Sequence, residues 1–425
     1  MSEVLFLTFG LCLLLSMPVV FSLLVASITA ILWGGSVPLT IVAHKLVSGI
    51  DSYPLLAIPL FIVFGEVVNK GGIGRRIVDF SQALVGSFRG GLAHANVTAS
   101  MFFGGISGSA TADSAAIGSV LIPAMKRGGY PATFSVAVTA TSSIIGIIIP
   151  PSVDLILYGW LTDTPMDELF AGGLLPGVLI GGALMVVSYV LSARHGYGIR
   201  QPFSLPELVR RTGDTFPALL MPLIIIGGIL GGVFTVTEAA AASVVYGLLV
   251  TWLYYRELKF ADLPTLFSDA AKTIGQVMFL LGTAKVFAYV MTIEQVPLHL
   301  SQALFEALPS TGFFALNVIL ICLVVGLFLT PAIATIILTP ILFPAAMEFG
   351  VDPVHFGLML VSGLALGHVT PPVGLTLLLT SSIGGVSVGQ MLRPLLPFFL
   401  MLVAIVLVIA YVPAITLFIP DLMRG

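Results

Sequence analysis

Charge is what this sequence lacks most. Aspartate, glutamate, lysine and arginine make up 9% of its 425 residues, whereas a soluble chain carries about 25%. Seventeen basic and twenty acidic side chains are too few to cover a soluble globule of that length. The net charge of −3 excludes a basic groove for nucleic acid. Cysteine is nearly absent: Cys12 and Cys322 make neither a disulfide framework nor a thiolate metal site. The basic region of a secretory signal is missing, because Glu3 is the only charged side chain before Lys45, and no cleaved leader is expected. No Gly-Lys-Ser/Thr element occurs, which excludes a Walker phosphate loop and ATP hydrolysis by this chain. Any work it performs must draw on another source. An ion gradient, at about 2.3 kcal/mol per charge per 100 mV, is the usual one.

What is present is apolar. Hydrophobic residues make up 58%, accompanied by 45 glycines and 27 prolines. In a polar chain those glycines and prolines would argue for disorder; here they argue for broken or closely packed membrane helices. The expected fold class is an all-α polytopic membrane protein.

A span needs about 20 apolar residues across about 30 Å of hydrocarbon. Ala307 to Met347 contains no charged side chain. As one helix it would reach roughly 60 Å, so it must reverse direction. Thr330-Pro331 lies near its middle, where proline breaks the hydrogen-bond ladder. Gly90 to Met125 turns similarly near Gly104–Ser109. Two re-entrant hairpins account for both segments; pairs of ordinary crossings are the alternative. Further spans are expected at Val4–Trp33 (one helix, or two kinked near Pro18), Tyr53–Val68, Pro131–Trp160 and Leu169–Ala193. The second half adds Phe216–Val233, Glu238–Tyr255, Ile274–Thr292, Pro353–Ser382 and Leu395–Phe418. Ile73–Phe88 and Leu258–Ala271 alternate charge with apolar residues at helical spacing, as interfacial helices do.

Lysine and arginine bias sets the orientation. Lys70, Arg75, Arg76, Arg89, Lys126, Arg127, Arg194, Arg200, Arg210, Arg211, Arg256 and Lys259 share a predicted cytoplasmic side. The segments around Asp163, Asp167, Glu168, Glu294, Glu306, Glu348 and Asp352 face out. The first hairpin, between Arg89 and Lys126, then enters from the cytoplasm, and the second, between Glu306 and Glu348, from outside.

The chain also repeats itself. Leu121, Pro123, Ala124, Gly129, Gly146, Pro150 and Pro151 recur as Leu342, Pro344, Ala345, Gly350, Gly367, Pro371 and Pro372, each 221 positions later. With opposite hairpin entry, this predicts inverted repeats and a site at their interface near mid-membrane. Each repeat offers a hairpin tip and a broken helix, the breaks falling at Gly146–Pro151 and Gly367–Pro372. Carbonyls freed at such breaks cost several kcal/mol unless something binds them. Sodium is a hard cation that wants several oxygens, and the hydroxyls of Ser107, Ser109, Thr330 and Thr370 add to those carbonyls. Half-helix N-termini suit a carboxylate. The alternative is that these glycines and prolines are packing kinks.

Ionisable residues within spans are costly unless they have a role. Asp113 follows the first tip and either orders it, neighbours a sodium site, caps the second helix or pairs with a hydroxyl. Glu66 and Asp154 sit in or beside spans. Glu238 follows Thr235 as a helix cap would. Lys285 is expected to be structural, and His368 either binds a ligand or completes a hydrogen-bond network.

Pro54-Leu-Leu-Ala-Ile-Pro-Leu-Phe61 with Gly65-Glu66, Arg89-Gly-Gly-Leu-Ala-His94, Gly105-Ile-Ser-Gly-Ser-Ala110 with Ala112-Asp113, Phe234-Thr-Val-Thr-Glu-Ala-Ala-Ala241 and Thr370-Pro-Pro-Val-Gly-Leu375 together resemble the large membrane subunit of tripartite ATP-independent periplasmic (TRAP) transporters. The resemblance covers nearly the whole chain. It implies an inverted-repeat, elevator-type, sodium-driven importer in the bacterial inner membrane. The solute would bear a carboxylate (an acid sugar such as sialic acid, a dicarboxylate or another organic acid) and come from a periplasmic binding protein. A small four-span membrane subunit is implied as a separate chain, and no organic cofactor is expected.

On this resemblance Na+ is held by Ser107, Ser109, Gly146, Ile148 and Pro150 in one site and by Thr330, Gly367, Thr370 and Pro371 in another. Solute contacts fall to Ser107, Gly108, Asp113, Ser152, Pro331 and Thr376. Many relatives have asparagine where this chain has Thr376. The implied division puts scaffold and interfacial arm in 1–89 and 161–311, transport halves in 90–160 and 312–382, and a final span in 383–425. Competing readings are a stand-alone sodium–carboxylate carrier, a non-transporting receptor, and an intramembrane serine protease suggested by Gly105-Ile-Ser-Gly108, which would need His368 as its base.

Overall fold

In the computed structural model the chain is described over residues 1–35, 37–198, 202–308 and 310–424, and no strand occurs among them. Arg200, one of the expected cytoplasmic basic residues, lies outside the described residues. Eight helical stretches among those described are long and apolar enough to cross a bilayer.

The chain opens with α1 (Ser2–Leu14) and α2 (Val19–Gly34), two helices rather than one because Pro18, lacking an amide proton, stands between them. Then come α3 (Thr40–Ser48), α4 (Ala57–Lys70) and α5 (Ile73–Val85). Helix α5 buries Ile73, Ile77 and Val78 while Arg75 is exposed, the amphipathic pattern read from its sequence. The first hairpin is α6 (Gly91–Ser107) and α7 (Ala110–Arg127). The first broken helix is α8 (Ala132–Ser143) with the short α9 (Ile145–Ile148), then α10 (Val153–Thr162).

A long α11 (Met166–His195) leads to α12 (Leu205–Leu230) and α13 (Val236–Leu249), the last extended by a π turn over Val250–Tyr254. Thr235 and Glu238 close a capping box at the start of α13, the role expected of Glu238. Next are α14 (Leu263–Ile293) and α15 (Val296–Ala307). The second hairpin is α16 (Thr311–Gly326) and α17 (Pro331–Glu348), and the second broken helix α18 (Pro353–Gly367) and α19 (Leu375–Gly384). The chain closes with α20 (Val388–Tyr411) and α21 (Ala414–Arg424).

Three expectations need correction. Leu258–Ala271 is not a separate interfacial helix: after a 3-10 turn at Phe260–Asp262 it runs without interruption into the expected span as the 31-residue α14. The charge alternation there marks the wet first turns of one long helix; at about 1.5 Å per residue, 31 residues exceed the hydrocarbon thickness. The span expected at Leu395–Phe418 is cut by Pro413 between α20 and α21. The breaks themselves sit slightly beyond their expected limits. Gly146 and Ile148 remain in the helical turn of α9, so the first interruption is 149–152, and the second is 368–374.

Moving the bounds of α7 by 221 positions gives those of α17, and the same shift carries α5, α6, α8 and α10 to within three residues of α15, α16, α18 and α19. Helices α8 and α18 are buried along nearly their whole length, α18 chiefly by apolar residues and α8 with serines and threonines among its buried positions. The broken helices pack across the two halves, α8 on α19 and α10 on α17 and α18. Helix α11 packs on α6, α18, α20 and α21, and therefore sits with the hairpins; α12 packs on α5 and α13, and α14 on α2, α3 and α4.

Candidate functional site

The two hairpin tips are built differently. At the first, Gly108 takes a left-handed conformation (φ 61°) that a side chain would disfavour. The Ser109 hydroxyl then caps α7 by accepting the Ala112 N–H at 3.4 Å, and it lies 3.0 Å from the Thr111 hydroxyl. At the second, Thr330 is extended and Pro331 opens α17, where a missing amide costs nothing.

Each tip approaches its own broken helix through glycine. A Cβ on Gly104 would stand 2.8 Å from the Cα of Gly146, and one on Gly326 would stand 3.0 Å from the Cα of Gly367. A Cβ on Gly108 would collide with the Pro151 carbonyl oxygen, so tip and interruption touch backbone to backbone. Pro150-Pro151 and Pro371-Pro372 are both cis. Within the interruptions, Ser152 accepts the Leu155 N–H at 3.3 Å and starts α10. The Thr370 hydroxyl donates to the Leu366 carbonyl at 2.8 Å, and the Thr376 hydroxyl donates to the His368 carbonyl at 2.7 Å.

A cavity of about 470 Å³ lies where these parts converge. Ser107–Ala112 of the first tip, Thr330 and Pro331 of the second, Asp154 beyond the first interruption and His368 in the second all line it. Its remaining wall comes from α4 (Phe61, Gly65, Glu66, Asn69) and α14 (Thr273, Val277). Of the residues expected from sequence, Ser107, Gly108, Ser109, Thr330 and Pro331 face this space. Gly146, Ile148, Pro150, Gly367, Thr370 and Pro371 lie behind it in the broken helices, as do Ser152 and Thr376 with their hydroxyls engaged locally.

Asp113 also lies behind the cavity. It is fully buried and accepts a hydrogen bond from the Ser100 hydroxyl at 2.8 Å. Ser100 stands 3.0 Å from Ser142, Ser142 donates to the Asn96 carbonyl oxygen at 3.0 Å, and the Asn96 amide donates to Thr139 at 2.7 Å. This network ties α6, α7 and α8 together. Pairing with a hydroxyl is among the roles expected of Asp113, and the structure identifies the hydroxyl as that of Ser100; the wider network was missed, although Asn96 and Ser100, one helical turn apart in an apolar segment, are the signal for it.

Glu66, Asp154 and His368 were weighed singly and omitted from the expected site, yet all three line the cavity. No lysine or arginine is among the lining residues described. Lys285 packs over the Trp160 ring, 5.1 Å from its centroid, a structural use of its charge. The Ser107 hydroxyl and both ring nitrogens of His368 have no hydrogen-bond partner among the described residues, so no serine–histidine pair exists to activate a nucleophile.

Residues 6–415 match the family model described as the DctM component of the tripartite ATP-independent periplasmic transporters. The chain is 39% identical to the isethionate TRAP transporter permease protein DctMQ of Oleidesulfovibrio alaskensis over 98% of this chain and 66% of that one. It is 38% identical to the C4-dicarboxylate TRAP transporter large permease protein DctM of Pseudomonas aeruginosa, over 89% of each. It is 35% identical to the sialic acid TRAP transporter large permease protein SiaM of Vibrio cholerae, over 96% of each. In three dimensions it is similar to the YdaH transporter of Alcanivorax borkumensis, with a TM-score of 0.63 at 17% identity over 88% of each chain, a likeness of fold.

Proposed function

The chain belongs to the DctM family of TRAP transporter permeases, and we propose that it imports an organic acid by coupling its passage to sodium. It is a multi-pass membrane transporter subunit and not an enzyme. The solute is a carboxylate or a related organic anion, as the names of the isethionate, C4-dicarboxylate and sialic acid relatives suggest. A small four-span membrane subunit and a periplasmic binding protein complete the transporter in the bacterial inner membrane.

One observation carries the sodium reading: both hairpin tips meet around a single cavity together with His368 of the second interruption and with Ile147, Val153 and Asp154, which flank the first, and no basic side chain lines it among the described residues. An anion entering that space needs a cation brought with it, because an uncompensated charge at membrane depth is expensive. Carbonyls of the interruptions and the hydroxyls of Ser107, Ser109, Thr330 and Thr370 are the oxygens on offer. Gly146, Ile148 and Pro150 serve the first ion, and Gly367 and Pro371 the second. Solute contacts are assigned to Ser107, Gly108 and Pro331, with Asp113, Ser152 and Thr376 holding those parts in place.

The 221-residue correspondence and the opposite charge bias of the two hairpins support inverted repeats. In an elevator cycle the moving body would comprise α6–α11 with α16–α20, and the frame α1–α5 with α12–α15, so α11 moves with the hairpins it packs on.

The test is uptake by proteoliposomes containing the permease with its small subunit and binding protein. Replacing external sodium with choline abolishes uptake on this reading, and Ser109→Leu or Thr370→Leu raises the sodium concentration needed for half-maximal uptake. Undiminished uptake in choline would falsify sodium coupling.

A further inference from the structure

The polar groups around the cavity have an unusual charge inventory for a site that takes an organic acid. Glu66 on α4 and Asp154 at the start of α10 both line it, and no ion pair engages either of them among the described residues. His368, also lining it, is nearly fully buried with both ring nitrogens unpartnered. Buried polar groups are ordinarily hydrogen-bonded, so an orphaned imidazole beside a cavity is a group awaiting a partner. A neutral imidazole offers one N–H and one acceptor nitrogen; carboxylates offer acceptors alone.

These three residues lie 88 and 214 positions apart along the chain and arrive from the frame side, the first half and the second half respectively. A solute with one carboxylate and several hydroxyl or ammonium groups matches the set. Its carboxylate takes the imidazole N–H and the co-bound cations, and its donors go to Glu66, Asp154 and the hydroxyls of the tips. A second carboxylate on the solute would instead meet two acidic side chains with no lysine or arginine among the lining residues described, and like charges brought together in a desolvated site repel.

We propose that Glu66, Asp154 and His368 form the solute-recognition wall of this cavity and select a monocarboxylate rich in hydrogen-bond donors over a dicarboxylate. The inference rests on the transporter reading above, and deepens it by naming the solute class and the residues that set it.

The experiment uses the purified permease with its small subunit, in sodium chloride, and follows thermal stabilisation by D-gluconate, a polyhydroxylated monocarboxylate, and by succinate. Gluconate is expected to stabilise at a concentration lower than succinate by about tenfold or more. Glu66→Gln combined with Asp154→Asn narrows or reverses that ratio, and His368→Ala weakens gluconate while leaving the elution profile on size exclusion unchanged. His368→Gln, which keeps a donor and an acceptor, restores part of the binding. Succinate binding as tightly as gluconate overturns the proposal, as does gluconate failing to bind at all or a ratio untouched by the double variant. A misfolded double variant is replaced by Glu66→Gln alone, read by the same ratio. Stabilisation by sodium without solute, measured in parallel, tests the coupling reading by itself. Gluconate selectivity without any sodium effect would leave the wall standing and remove the coupling.

Discussion

Replacing Gly108 with alanine separates two costs that the first tip combines. The residue sits at φ 61°, and leaving a left-handed residue without its glycine costs about 1–2 kcal/mol. Gly385, at the end of α19, has a similar φ of 67°, but a Cβ built there meets nothing within 4 Å. Gly385→Ala therefore measures the conformational cost alone. At Gly108 the new methyl also strikes the Pro151 carbonyl, a backbone atom that cannot swing aside as a side chain would. Overpacking of this kind adds about 1–3 kcal/mol. If the carbonyls of that interruption hold sodium, the displacement falls on the ion site, and each 1.4 kcal/mol of lost affinity is about tenfold in half-saturation. The assay is sodium-dependent thermal stabilisation of the purified complex. Gly108→Ala is expected to shift the sodium midpoint upward by about tenfold or more relative to Gly385→Ala. Equal midpoints in the two variants would refute the claim that this tip and this interruption share an ion.

Two further outcomes follow from contacts away from the cavity. Asp113→Ala removes the acceptor of the Ser100 hydroxyl and should cost about 1–3 kcal/mol in unfolding measurements; a double-mutant cycle with Ser100→Ala that gave zero coupling would show the two groups to be independent. Arg424, half-exposed, pairs with Glu168 and, at 3.3 Å, with Asp352, so Arg424→Gln should change stability by no more than about 1 kcal/mol, less still at high salt. A larger loss, insensitive to salt, would mean that the pairing around α21 is more desolvated than its exposure indicates.

The tips and interruptions were legible in the sequence because their signals are local. A long uncharged stretch must turn somewhere, and Thr330-Pro331 and the glycines before Ser109 are where it can. Paired prolines marked the interruptions for the same reason. The first half of α14 was misread because charge alternation describes any helix that is wet on one side, and sequence alone does not distinguish a separate surface helix from the protruding end of a span. The packing of α11 on α6 and α18 depends on tertiary geometry that its place between the repeats does not reveal. Asn96, Ser100, Thr139 and Ser142 each look like an isolated polar residue in an apolar helix until their partners are known. Glu66, Asp154 and His368 were visible one at a time, but nothing in their spacing announces that they line one cavity.

The two halves match in backbone and differ in chemistry, and the difference has a physical reading. Interrupted helices must satisfy their freed carbonyls wherever they occur in a membrane, so the interruptions, the tips and the close glycine contacts recur together. The buried network behind the first tip is under no such obligation. The positions 221 residues beyond Ser100, Asp113, Thr139 and Ser142 hold Ile321, Ala334, Leu360 and Gly363. The only counterpart that keeps its polar identity is Asn317, which is half-buried and turns its amide back to the Phe313 carbonyl. In the second half α16 and α18 instead meet through small residues, with a Cβ on Gly363 coming within 2.9 Å of the Cys322 Cβ. Separating α6 from α8 would strand buried hydroxyls and an amide, at about 1–3 kcal/mol for each group left unpaired. Separating α16 from α18 trades apolar contact for lipid of much the same polarity, which costs far less. Among the described residues the first hairpin is therefore fastened to its broken helix by hydrogen bonds and the second by close packing, so parting a hairpin from its own broken helix is expected to cost less in the second half.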